Sequence, residues 1–198
     1  MATPGPTTLA QWAGIVMPTL FTGMTAADSL ATRALLAAPV PPKLLTKQWL
    51  HLYQQGPYWV LPTVLTGLSS NLYLALYPSS SRSQNPRAAA FYLAAALAIG
   101  SILPITFLYF EPHVNGACKW KARTLLLDLE SPELSGDNEA SDSVIPSSEK
   151  QSATRGTRER AGRSDMSTLV VAWARANHLR WVVGLAAAGL SGYATLGL

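Results

Sequence analysis

Four long stretches of the chain carry almost no charge: roughly residues 9–36, 58–77, 87–110 and 168–198. A helix needs about 20 apolar residues to cross the hydrocarbon core of a bilayer, so each stretch is long enough to span it. The expected fold is therefore all-α, an integral membrane four-helix bundle. Composition agrees. Only 13% of the residues are charged, where a soluble domain carries about a quarter, and more than half of these crowd into residues 119–165. The formal net charge of +4 does not point to nucleic acid. The basic residues sit at helix ends and in the polar stretch, without the interleaved aromatics that read a strand. A single cysteine, Cys118, excludes an intrachain disulfide and a cysteine-based metal cluster.

The connections divide the chain into residues 1–130, 131–167 and 168–198. An uncharged Met-Ala-Thr-Pro-Gly-Pro precedes the first stretch, which reads as a retained helix, since a cleaved signal wants a basic start. Pro39, Pro41 and Pro42 end it. Leu45, Trp49, Leu52 and Tyr53 then recur at helical spacing, which predicts an interfacial amphipathic helix over residues 43–55, closed by Gly56-Pro57 before the second span. Pro78 to Pro86 reads as a polar turn. Pro104 interrupts the third span, where Ser101 or Thr106 is placed to satisfy the freed carbonyl. Residues 131–167 lack aromatics and have few aliphatics, too little apolar surface to offset ordering entropy, so they read as a disordered tether. The stripes Thr19-Gly23-Ala27 and Gly184-Ala188-Gly192 would let helices approach closely. They suit packing inside one bundle or a homo-oligomer. Lys and Arg gather beside the first and third connections, which places both termini on the lumenal or outer side.

Polar groups in or near the bilayer are costly, and so they mark sites. Asp28, Thr106, Asn115, Asn177 and Arg180 stand out, with Asp28 and Arg180 a sensible ion pair that would serve a site or merely hold two helices. Trp49, Tyr53 and Trp173 suit either an aromatic pocket or the interface belt. His51, His113 and His178 lie near helix ends. Their positions allow a three-histidine metal site, although separate hydrogen-bonded histidines are the plainer reading. No Gly-rich phosphate loop, GxSxG, HExxH or CxxC occurs.

Three short patterns in order carry a resemblance: Trp49-x-x-x-Tyr53-x-x-Gly56, then Pro104-x-Thr106 followed by Asn115, then Trp173-x-x-x-Asn177-x-x-Arg180. Together they resemble the anthrone oxygenase family of fungal aromatic polyketide pathways, small four-helix membrane proteins with a variable polar loop before the last helix. The resemblance implies a monooxygenase of secondary metabolism that oxidises an anthrone to the anthraquinone. It implies molecular oxygen as co-substrate and no flavin, haem or metal, in the endoplasmic reticulum or another internal membrane. An anthrone CH₂ is doubly benzylic and carbonyl-activated, and its enolate can reduce oxygen directly. The protein then supplies a base, an enolate stabiliser and a dry pocket. In that frame Asp28 or His178 is the base, Asn177 and Arg180 face the enolate oxygen, and Trp49, Tyr53 and Trp173 stack on a flat hydrophobic substrate, with Thr106 and Asn115 beside it. Two other readings stay open: another transformation of a hydrophobic intermediate on the same architecture (a cyclisation, rearrangement or metal-assisted oxidation), and a membrane scaffold without catalysis.

Overall fold

The structure is a computed structural model that describes residues 4–77, 86–126 and 152–197. Every regular element among them is helical, as the apolar stretches require: α1 (Pro6–Leu36), α2 (Pro42–Leu76), α3 (Pro86–Ile105), a π-helix (Thr106–Asn115), α4 (Gly116–Leu126), α5 (Arg155–Gly162) and α6 (Met166–Leu196). Two runs, Pro42–Leu76 and the continuous Pro86–Leu126, are long and apolar enough to cross a membrane by length and composition. The polar turn expected after Pro78 lies outside the described residues up to position 85.

Two expectations change. Gly56-Pro57 does not separate an amphipathic helix from a span, because α2 runs unbroken through both. A proline crowds the β-carbon of the residue before it, and Gly56 has none, so the helix passes. Of the expected tether, residues 131–151 lie outside the described residues, but residues 152–167 have a defined structure. Thr154 is extended (φ −65°, ψ 161°) and its side chain accepts from the Thr157 N–H, a helix N-cap that starts α5. Thr157 and Ala161 then bury one face of α5. Composition alone hid this. Two small buried residues are too weak a hydrophobic signal, and the docking surface comes from elsewhere in the chain.

The π-helix has a local cause. Pro112 carries no N–H and crowds the carbonyl a turn earlier, and the Gly116 N–H reaches back five residues to the Glu111 carbonyl. Wide turns of this kind are often found at functional sites. Ser101, one of the two residues expected to answer Pro104, donates to the Ala98 carbonyl at 2.7 Å.

The helices pack as two units. The first comprises residues 1–25, 59–103 and 179–198. Phe21, Val64, Ile99, Ile102 and Ala187 form its core. Its interior also holds polar groups: Asn71 donates to the carbonyls of Gly14 (3.1 Å) and Gly67 (2.9 Å), and Tyr92 bonds Thr195 at 2.9 Å. Its exterior is apolar, with Trp12, Leu20, Leu97, Leu185 and Leu196 exposed. Among its described residues only Arg87 and Arg180 are charged. The second unit comprises residues 26–58 and 104–178, built on Trp49, Ala117, Leu169, Val170 and Trp173.

The small-residue stripes are used unevenly. A β-carbon on Gly184 would lie 2.6 Å from Thr22 Oγ1 and 2.8 Å from Phe21 Cδ1, whereas Gly23 and Gly192 have open space around them. Gly184→Val should therefore cost about 1–3 kcal/mol by overpacking, while Gly192→Ala should be neutral or gain up to about 1 kcal/mol. Thermal stability of the detergent-solubilised variants, read by size-exclusion after heating, checks both.

Candidate functional site

The second unit gathers most of the residues singled out from the sequence. Trp49 is fully buried and stacks on Tyr53 (centroids 5.1 Å apart, 16° between planes), with Trp173 edge-on to it at 6.2 Å. The three aromatics thus pack on one another. Offset and edge-on pairs contribute about 0.5–1.5 kcal/mol beyond burial. The Trp49 indole N–H is buried with no hydrogen-bond partner among the described residues.

Tyr53 leads to a group that sequence reasoning missed. Its hydroxyl donates to the Glu111 carboxylate, 3.3 Å from Oε1 and 3.2 Å from Oε2. The same carboxylate accepts from Asn115 Nδ2 at 2.7 Å, from Ser152 Oγ at 2.8 Å and from Lys119 Nζ, its salt-bridge partner. Glu111 and Lys119 are buried, with the ammonium also 5.9 Å from the Tyr53 ring centroid. Four donors occupy the carboxylate's acceptor sites and one cation neutralises it, the conditions under which a buried charge is tolerated. The signal was the spacing Glu111, Asn115, Lys119, an acid, an amide and a base four apart. The third apolar stretch ends at about residue 110, which leaves Glu111 just outside it.

The segment before α6 is fastened to the same place. Besides Ser152, His113 Nδ1 meets Thr157 Oγ1 at 3.3 Å and Arg160 Nη2 donates to the His113 carbonyl at 2.7 Å. A β-carbon on Gly116 would stand 2.7 Å from the Ala153 backbone nitrogen, so only glycine admits this approach.

A cavity of about 480 Å³ opens between α1 and α6, lined by Thr32, Arg33, Leu36, Val171, Ala174, Arg175 and His178. Pockets for small molecules run from about 300 to 1,000 Å³, so it has the right size. Both ring nitrogens of His178 have contacts: Nδ1 meets the Ala174 carbonyl at 3.0 Å and Nε2 meets Arg33 Nη2 at 3.2 Å. A carbonyl only accepts and a guanidinium only donates, so the proton sits on Nδ1 and the Nε2 lone pair faces Arg33. Asn177 is buried beside it on α6. Asp28, half-buried on α1, does not line the cavity, although its carbonyl accepts from the lining residue Thr32. Thr106 is buried at the start of the π-helix. Arg180 is half-buried and falls in the first unit, so the site described here is built without it.

The histidines do not come together as ligands. His51 bonds Gln55 at 3.0 Å, while His113 and His178 have the partners given above. No three of His, Cys, Asp and Glu group at metal-binding distance among the described residues.

The carboxylate cluster yields a test. Lys119→Met strands Glu111 without its cation and should cost about 3–5 kcal/mol. Adding Glu111→Gln in that background should restore most of the loss, since the amide oxygen still accepts from Tyr53 and Ser152 without a charge. Thermal unfolding of the three proteins gives the comparison.

The family model for anthrone oxygenase matches residues 49–190, a span that holds Trp49, Tyr53, the Glu111 cluster, Trp173, Asn177, His178 and Arg180. No curated protein and no solved structure matches the chain. The matched span covers most of the sequence, and the chain belongs to the anthrone oxygenase family.

Proposed function

We propose that this protein is a membrane-embedded monooxygenase that oxidises an anthrone-type aromatic polyketide to the anthraquinone with molecular oxygen and without a cofactor. Family membership supports the reaction class. The observation that carries the reading is His178, whose Nε2 lone pair faces a guanidinium in a cavity of about 480 Å³.

The chemistry follows from those two groups. His178 Nε2 takes a proton from the central CH₂ of the anthrone, and the electron pair moves onto the carbonyl oxygen. Arg33 turns from the imidazole to the resulting enolate, whose developing charge a cation stabilises more in the transition state than in the ground state. The enolate gives one electron to O₂, and the superoxide and carbon radical combine. The imidazolium proton completes a hydroperoxide at that carbon. Loss of the second C–H proton then breaks the O–O bond and releases hydroxide, which takes up that proton as water. The balance is one anthrone and one O₂ to one anthraquinone and one H₂O. Asp28 is the less suited base because the cavity does not include it. Asn177 is buried on the same helix.

The first unit is the membrane-crossing part. Its four helical segments are each 18–20 residues by their bounds, and 20 residues of helix span about 30 Å, the thickness of a bilayer core. Apolar side chains outside and amides and hydroxyls inside suit lipid as the surrounding solvent. An internal membrane such as the endoplasmic reticulum, with both termini on the lumenal side, fits the placement of Lys and Arg.

The test is turnover. Purified, metal-stripped protein with an anthrone in air-saturated buffer should raise quinone absorbance well above the spontaneous rate, and a rate equal to background would end this reading for that substrate. His178→Gln should lower kcat by about 10²–10⁴-fold, the usual contribution of a general base, with folded yield unchanged.

A further inference from the structure

The mechanism above uses Arg33 and His178 but leaves the other cation of the cavity, Arg175, without work. Val171, Ala174, Arg175 and His178 follow one another at i, i+3, i+4 and i+7, so they share one face of α6. Leu36 and Thr32 face them from α1. The result is a cleft with apolar walls and two guanidinium groups, and none of its seven lining residues is acidic. Arg175 has no ion pair among the described residues. Arg33 is directed at the imidazole. Arg175 is exposed to solvent and borders the apolar cleft next to the reactive histidine.

We propose that Arg175 is a specificity residue that selects substrates carrying an acidic group, a carboxylate or an ionised phenol, on an outer ring of the tricycle. The inference rests on the anthrone reading of the site. Three residues of helix separate Arg175 from His178, about 4.5 Å of rise, comparable to the offset between a central CH₂ and a substituent on the neighbouring ring. With the CH₂ at His178 Nε2, the acid group lies at Arg175. A planar guanidinium binds a carboxylate through two parallel hydrogen bonds, which adds geometric selection to charge. The apolar side chains of Val171, Ala174 and Leu36 take the ring faces. Binding energy at this remote group would hold the CH₂ against the base.

The experiment uses the full chain in detergent, with two unreactive, product-shaped probes: anthraquinone-2-carboxylate and neutral 2-methylanthraquinone. The carboxylate should bind about tenfold or more tightly at low salt, and the preference should fall as salt screens the exposed charge. Arg175→Gln should bring the two probes to parity, and Arg175→Lys should keep part of the preference because the charge remains without the fork. Equal binding of the two probes to the unaltered protein would overturn the proposal. So would a preference that survives in Arg175→Gln.

Turnover separates this inference from the reading beneath it. With an anthrone-carboxylic acid, Arg175→Gln should raise KM about tenfold with kcat nearly unchanged, and with the neutral anthrone neither should move. If both anthrones are oxidised at equal KM by the unaltered protein and by Arg175→Gln, the acid-selective subsite is refuted and the oxygenase stands. If neither is oxidised while probe binding still depends on Arg175, the anion subsite stands and the oxygenase reading is refuted.

Discussion

In the second unit one buried carboxylate ties together segments that are far apart in sequence. Glu111 receives Tyr53 from α2, Asn115 from its own π-helix, Lys119 from α4 and Ser152 from the stretch that leads into α5. Taking a carboxylate and an ammonium from water costs several kcal/mol per ion, and good geometry with full hydrogen bonding is what offsets it. Full satisfaction leaves little freedom in where those segments sit. Tyr53 is fixed at its hydroxyl, and its ring in turn sets Trp49 and, edge-on, Trp173. The arrangement around the candidate site thus depends on an ion pair that takes no part in the proposed chemistry.

The first unit is organised by the opposite logic. Its interior gains little from hydrophobicity if its outside faces lipid, so close approach and internal hydrogen bonds carry the specificity. Gly184 lets α1 and α6 come within contact of Phe21 and Thr22, and Asn71 stitches α2 to the α1 backbone at Gly14. The two units differ in charge. Among the described residues, all the acidic groups and nearly all the basic ones belong to the second. A reaction that joins a lipophilic tricycle to proton transfer suits a polar unit continuous in chain with an apolar one.

The helical fold and the break at residues 37–41 were legible because apolar runs, prolines and period-3.6 spacing are local signals. So were Tyr53, Asn115, Trp49 and Trp173 as residues worth watching, since large aromatics and amides in apolar surroundings stand out by themselves. Glu111 and Lys119 did not stand out, because both fall outside the long apolar stretches and their meaning lies in one another. The helix at Arg155–Gly162 was hidden for a related reason. Its burial depends on Gly116 and the π-helix, and a composition window sees neither. Gly56-Pro57 misled in the other direction: a dipeptide that ends many helices is passed here without interruption.

What the sequence determined alone was therefore the class of structure: long helices, few charges, and a short set of costly polar residues, all properties that adjacent residues settle among themselves. Tertiary structure alone decided which of those residues meet. It paired Glu111 with Lys119, gave the His178 imidazole its tautomer through Arg33 and the Ala174 carbonyl, and set Arg175 at the rim of the same cleft. The reason is physical. Burial and hydrogen-bond partners are properties of pairs brought together by folding, and for His178 and Arg33 the separation along the chain is 145 residues.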